Sequence, residues 1–477
     1  MAEILNPDLC VIGAGSGGLA VAEVARAYGA SVVLVEKARL GGNALHTGAI
    51  PAKALAAAAA HAQAMRDGPQ FGIAADDPKI NFRRVHDHVE QVIAALAPMS
   101  AAARIEALGV DIVHGTARFI NRRAVVAGET EIRARRFVIA TGAKLPVPAI
   151  PGLDAVPYFT SETILDNTRK LTHLVVIGGG PLGLELAQAH ARLGTEVTVV
   201  ENGPLLAGFD PELAAVALKR LAEDGVALRP NCAVSAILPR SMGIGVAVRS
   251  GETDELLDAS HILVAGERVP NLDGLELDKA GIRSSKAEPH LLQLSPLLKT
   301  SNPRVYAVGE AAGGQSVQAA VRQAQVVVRN ALLGAMARPD PLRVPHVVST
   351  EPELAEIGLN EGLARARHGA NFRVTRWSFA DNDRARAARE TYGLAKLITD
   401  RSGRILGAGV AGPGASELVA LFSLAMSGGL TAGDLADFVA PYPSHAEIAV
   451  RLGEEFRRAD AQKPLIRQWI SLNKLLG

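Results

Sequence analysis

The sequence predicts an α/β protein built on two Rossmann-like units. Two glycine-rich turns carry that prediction, each set between an apolar strand and an alanine-rich helix. A third observation agrees with them: the strand after each helix ends in glutamate.

The first unit opens with the strand LCVIG (9–13), which runs into GAGSGG and then a helix expected from Leu19 to Tyr28. Gly13, Gly15 and Gly18 stand at the three fingerprint positions. The first allows the turn, the second lets a pyrophosphate approach the backbone, and the third lets helix and strand pack. The next strand, SVVLVE, ends at Glu36, whose carboxylate can accept from both hydroxyls of an adenosine ribose. Between the units, the strand of FVIATGAKLPVPAIPG ends at Ala140–Thr141–Gly142, and its proline-rich remainder reads as a linker to Gly152. The second unit repeats the device in LVVIGGGPLGLELAQAHARLGTEVTVVE, with Gly178, Gly180, Gly183 and Glu201. Its helix N-terminus suits a second pyrophosphate. Glu201 repels a 2′-phosphate, and NGPLLAG after it offers no arginine, so NADH is favoured over NADPH. Two dinucleotide sites in one chain imply two cofactors exchanging electrons. A later strand, RVYAVGE, ends at Gly309–Glu310 before a helix expected from near Gln315, consistent with a second domain inserted into the first.

Bulk properties exclude several classes. With 477 residues, roughly three domains are expected, and 48% hydrophobic residues supply their cores. Fifty basic and 49 acidic residues leave a formal charge of +1, which provides no field for nucleic acid. Cys10 and Cys232 are the whole cysteine complement, and Cys10 sits in an apolar strand. Two distant cysteines make no disulfide framework, so a reducing compartment fits. No basic, apolar, cleavable leader and no apolar run of about 18 residues is present, so a cytoplasmic protein is expected. No metal site is read from the sequence.

These motifs, in this order and over nearly the whole chain, resemble the FAD-dependent pyridine nucleotide–disulfide oxidoreductases: dihydrolipoamide dehydrogenase, glutathione reductase and mercuric reductase. Gly13, Gly15, Gly18 and Glu36 resemble the FAD fingerprint, and Gly178, Gly180, Gly183 and Glu201 the NAD fingerprint. GGNALHTGAIPAK (41–53) resembles the redox helix, with Gly42 and Lys53 at the FAD. Thr141–Gly142, VAGERVPN (264–271) and AVGE (307–310, with Gly309 and Glu310) resemble the strands that close the FAD domain. VVSTEPELAEIGL, DNDRARAARETYGLAKLI and ILGAGVAGPGASELV resemble the dimerisation domain, especially of the mercuric-reductase-like branch. The resemblance implies two Rossmann-like dinucleotide-binding domains and a C-terminal α+β dimerisation domain, forming a homodimer. The expected segments are 1–148 and 272–340 for FAD, 149–271 for NAD(P), 341–460 for the interface, and 461–477 as an amphipathic tail.

Three departures fall where the resemblance puts the chemistry. Alanines, Ala44 and Ala49, occupy the two redox cysteine positions. The C-terminal histidine of the family's His-Pro-Thr-x-x-Glu motif aligns with Tyr442 in YPSHAE (442–447); Glu447 keeps its place and His445 falls in an unrelated slot. The flavin-contacting aspartate is Glu310, one methylene longer. A disulfide relay needs a thiolate beside the flavin and a partner sulfur, and alanine supplies neither. Tyrosine, with a pKa near ~10, is a poor base at neutral pH. Inherited lipoamide, glutathione or Hg(II) reduction is therefore expected to be absent.

The first half-reaction needs no sulfur. The resemblance places Lys53 beside flavin N5, where a buried lysine favours negative charge on the reduced ring, and pairs it with Glu185. The bland alternatives are a surface lysine and a solvated glutamate. Electrons then have to pass directly to an acceptor such as a planar quinone, as in family members with an impaired cysteine pair. Tyr442 from the partner subunit could hydrogen-bond a quinone oxygen, or be a seam tyrosine satisfied locally. His46 and Thr47 flank the vacated positions, and His46 could supply a proton or simply be hydrogen-bonded. In KPLIRQWISLNKLLG (463–477), Leu465, Trp469, Leu472 and Leu476 follow helical spacing, with Lys463, Arg467 and Lys474 among them. Such a helix lies on a membrane surface or packs on the dimer.

Two other readings compete. If the alanines were introduced into an ordinary disulfide or mercuric reductase, then Ala52 (in place of a common family serine), Tyr442 and Glu310 stay unexplained. A non-catalytic FAD/NAD-binding sensor lacks any visible sensory or DNA-binding segment.

Overall fold

The computed structural model describes residues 3–74, 76–314, 316–461 and 464–476, with the backbone alone at 459–461, 464–467 and 475–476. The chain forms two compact units. One holds Met1–Gly178, Ala189–Asn202 and Asn231–Pro339; the other holds Gly179–Gln188, Gly203–Pro230 and Asp340–Gly477.

The first unit begins with β1 (Leu9–Ile12), α1 (Ser16–Ala27) and β2 (Val32–Glu36). Two helices follow, α2 (Gly42–His46) and α3 (Ala49–Asp67), before β3 (Val110–His114) and β4 (Arg136–Ile139). Next come β5 (Phe159–Thr160), β6 (His173–Ile177), α4 (Pro181–Arg192, shared between the units), β7 (Glu196–Val200) and β8 (His261–Val264). β9 (Val305–Ala307) and α5 (Val317–Leu333) complete it. Gln315, where that helix was expected to start, lies outside the described residues.

Five of these strands make a parallel sheet in the order β9–β4–β1–β2–β3, so a strand from residue 305 onward lies beside one at 136–139. Leu9 and Val11 pack in one core, with Val21, Ala22 and Val327 from the helices, while Cys10 and Ile12 pack in another with Phe119 and Phe137. A strand buried on both faces reads as an unbroken apolar run, which is why LCVI shows no alternation. A second parallel sheet sets β5, β8, β6 and β7 side by side.

The second unit is α+β. Its antiparallel sheet is built from β10 (His346–Val348), β11 (Glu353–Gly358), β12 (Phe372–Ser378), β13 (Leu394–Asp400) and β14 (Ile405–Gly412). The strand order is β10–β11–β14–β13–β12. α6 (Ala415–Gly428) and α7 (Glu447–Ala461) follow, and Phe379, Phe422, Leu452 and Phe456 share the core of this unit. The chain ends in α8 (Pro464–Leu476). Lys463 lies outside the described residues.

Candidate active site

The first glycine turn is built as its spacing requires. Gly13 has φ +103°, and a Cβ there would collide with the Ala140 carbonyl; a Cβ at Gly18 would collide with the Gly13 carbonyl. At Gly15 nothing lies within 4 Å of a would-be Cβ, so this face of the turn is open. α1 starts at Gly15 with no side-chain cap, leaving its first N–H groups for a ligand anion. Glu36 is buried and anchored: one carboxylate oxygen accepts from Ala14 N–H at 2.6 Å and the other from Ala38 N–H at 2.8 Å. The carboxylate is thereby aimed before any ribose arrives.

α2 is pressed onto this turn. Gly41 N–H donates to the Ala14 carbonyl at 2.9 Å, and a Cβ on Gly42 would stand 2.8 Å from Gly15 Cα. The segment of Ala44 and Ala49 therefore begins directly beside the fingerprint. Ala44 is half-buried on α2 and Ala49 exposed at the start of α3. The chain's two cysteines are elsewhere, buried and in no disulfide, and burial raises the pKa of the Cys10 thiol far above its ordinary value.

A polar chain occupies the ground around the alanines. Asn43 Nδ2 donates to Thr47 Oγ1 at 2.7 Å and to Glu162 Oε1 at 3.0 Å. Glu162 in turn accepts from Arg268 Nη1 at 2.7 Å, and Arg268 Nε donates to Glu310 Oε1 at 3.2 Å. Arg268 Nη2 donates to the Ala143 carbonyl at 2.6 Å, so its whole fork is engaged. The Asn43 side chain fills the space over Gly48, where a Cβ would strike its Oδ1. Asn43, Glu162 and Arg268 were missed as site residues, although Arg268 lies within VAGERVPN. Glu310 itself sits at the close of the first sheet, with Oε2 3.4 Å from a would-be Gly142 Cβ. Beside it the Thr141 hydroxyl is buried without a hydrogen-bond partner, and Gly309 N–H donates to Gln323 Oε1 at 2.7 Å. An orphaned hydroxyl, an open glycine turn and an aimed glutamate on one sheet edge fit an FAD.

His46 Nε2 lies 2.8 Å from the Leu40 carbonyl, which can only accept, so Nε2 carries the proton. Nδ1 is buried without a hydrogen-bond partner. Lys53 is exposed on the first turns of α3 rather than buried, so any desolvation there must come from a bound cofactor.

The second glycine turn copies the first. Gly178 has φ +123°, a Cβ there would collide with the Ala265 carbonyl, and Gly180 is open. Glu201 directly follows β7. In the second unit, Glu185 accepts from Ser349 N–H at 2.7 Å. Tyr442 is 73% exposed and donates to Asp383 Oδ2 at 3.0 Å; that hydrogen bond raises its pKa. Its hydroxyl is thus satisfied locally. Glu447 opens α7 and lies 3.9 Å from Arg451. His445 packs edge-on to Phe379 at 5.9 Å, and burial lowers its pKa, in keeping with a slot unrelated to the site.

Two duplicated dinucleotide turns joined to an α+β unit define a flavin- and nicotinamide-dependent oxidoreductase. Comparison with known proteins gives the family. The model for pyridine nucleotide-disulphide oxidoreductases matches residues 7–324, and the model for their dimerisation domain matches 344–452. The chain is 32% identical to dihydrolipoyl dehydrogenase of Bacillus subtilis (strain 168), covering 94% of this chain and 96% of that one. It is 33% identical to mercuric reductase of Streptomyces lividans, over 96% and 97%. Among solved structures, LpdA from Mycobacterium tuberculosis superposes with a TM-score of 0.86 at 26% identity, covering 95% of this chain and 99% of that one. The HOCl-induced flavoprotein disulfide reductase RclA from Escherichia coli gives 0.81 at 26%, over 94% and 99%. The chain belongs to the pyridine nucleotide-disulphide oxidoreductase family, whose cofactors are FAD and a pyridine nucleotide. Its dimerisation domain is consistent with a homodimer.

Proposed function

We propose that this chain is an NAD(P)H:acceptor oxidoreductase without a thiol relay, passing electrons from NADH through FAD directly to a quinone-like acceptor. One observation carries the reading: alanine stands at both 44 and 49, with a Thr47–Asn43–Glu162–Arg268 chain holding the segment around them. Bound FAD supplies the chemistry of accepting a hydride and releasing electrons in one or two steps. The Gly13–Gly18 turn with α1 would hold its pyrophosphate and Glu36 its ribose; Gly42, Thr141, Gly142, Gly309 and Glu310 would line its other end. Gly178, Gly180 and Gly183 would hold the nicotinamide dinucleotide, with Glu201 favouring the form that lacks a 2′-phosphate. Lys53 supports charge beside the ring. Alanine at 44 and 49 leaves a face without sulfur for a planar acceptor. His46, whose Nδ1 is buried without a partner, would hydrogen-bond or protonate the acceptor. Tyr442 is held by Asp383 and receives no role in proton transfer; Glu447 supports the start of α7.

Anaerobic mixing with NADH, followed by menadione, tests the reading. Loss of the flavin absorbance and its recovery on adding menadione are expected. A flavin that NADH cannot bleach would overturn the enzyme reading; bleaching with reoxidation only by another acceptor would overturn the quinone.

A further inference from the structure

Beyond the dimerisation match, which ends at residue 452, the chain continues through the rest of α7 and into α8. Every residue from Gln468 to Lys474 is exposed, which is nearly two full helical turns without a buried side. Trp469 is 64% exposed, and Ile470 and Leu472 are 48% each. A 13-residue helix whose described side chains, 468–474, are all exposed is marginal in water. Its apolar side therefore requires a cover.

Sequence register says what kind. At about 100° per residue, positions 465, 469, 472 and 476 share one side of α8, and positions 467 and 474 the opposite side. The segment 463–477 contains Lys463, Arg467 and Lys474 and no acidic residue. Ile470 and Ser471 lie on the same side as Arg467 and Lys474, but the only charges on the helix are positive. An apolar stripe carrying tryptophan with charges of this one sign complements an anionic lipid surface, where indole sits at the headgroup level. Among the described residues no helix is long and apolar enough to cross a membrane, so contact would be from the face of the bilayer.

We infer that α8 is an interfacial anchor that seats the protein on anionic membranes. The inference builds on the proposed quinone acceptor, since it would bring the site to a bilayer carrying lipid-soluble quinones, but its test needs no turnover.

Sedimentation of the full chain with phosphatidylglycerol vesicles, against phosphatidylcholine vesicles, reads the binding. Binding to the anionic vesicles is expected, weakening at high salt. The Trp469 emission should shift to the blue on binding, with Trp469→Phe as the control for Trp377, the only other tryptophan. Arg467→Glu with Lys474→Glu should weaken binding by at least about tenfold, because each cation near an anionic surface contributes roughly fivefold. Menadione turnover in buffer should be unchanged in that variant, which separates failure of the anchor from failure of the reaction. No sedimentation with either lipid, or equal binding by the charge-reversed variant, would overturn the anchor. So would a change in oligomeric state in that variant without vesicle binding, since α8 would then be covered by a second copy.

Discussion

Two ionic clusters, one in each unit, look alike in composition and differ in exposure. In the second unit, Lys396 is 2% exposed and its ammonium lies 2.7 Å from Asp210, 2.9 Å from Glu212 and 3.0 Å from Glu361. Arg376 adds pairs to Glu212 and Glu361. Burial works against the lysine's charge, yet its three carboxylate partners hold its pKa above the ordinary value. In the first unit, Arg268 is 19% exposed, and its partners Glu162 and Glu310 are 38% and 32% exposed. Arg376 and Glu212 in the first set are 43% and 41% exposed, so the set differs from the second in its buried Lys396–Asp210 pair, 2% and 3% exposed, which water does not screen. The buried cluster therefore acts on stability, and the half-exposed one on whatever binds beside it.

Perturbing each cluster sharpens that contrast. Lys396→Met leaves Asp210 buried without its cation and should cost about 3–5 kcal/mol in urea denaturation. Glu356, whose backbone-anchored carboxylate accepts from Asp210 N–H at 2.7 Å, gives the next effect. Burial pushes its pKa up to about 7 from 4.5. The folded chain then holds a proton that the unfolded chain has lost, so this contribution is complete below pH 4.5 and disappears as pH rises through 7. It is on the order of 3 kcal/mol, and Glu356→Gln should flatten that decline in melts recorded across the window.

The exposed cluster should respond more weakly in stability. Asn43→Ala removes two hydrogen bonds and should lower stability by about 1 kcal/mol. The same change should loosen the turn at Gly48, read as faster exchange of the Thr47 and Ala49 amides. Smallest is Arg268→Met, which leaves Glu310 and Glu162 without their cation beside the proposed flavin. Extra negative charge opposes electron uptake, so the flavin midpoint potential should fall by about 20 mV, with about 30 mV corresponding to 1.4 kcal/mol for a two-electron couple. A fall in thermal stability as large as that of Lys396→Met would erase the contrast between the clusters.

What the sequence made legible follows the reach of local geometry. Gly13, Gly18 and Gly178 could be placed because strand, turn and helix within a few residues force their collisions with backbone carbonyls. Glu36 was legible from the same spacing, although its anchoring by Ala14 and Ala38 N–H was not. The Asn43–Glu162 bond spans 119 residues and the Arg268–Glu162 bond 106, and no periodicity encodes a contact at that distance. His46 shows a second limit: the residue type does not say which ring nitrogen meets the Leu40 carbonyl. Tyr442's bond to Asp383 spans 59 residues and was likewise beyond the reach of local pattern.

Steady-state turnover of the purified chain with NADH, comparing menadione with lipoamide and glutathione disulfide, bears on the missing relay. Turnover of menadione with no measurable disulfide reduction is the predicted outcome. Sustained NADH-driven cleavage of either disulfide would contradict it, because neither Ala44 nor Ala49 can carry electrons to sulfur.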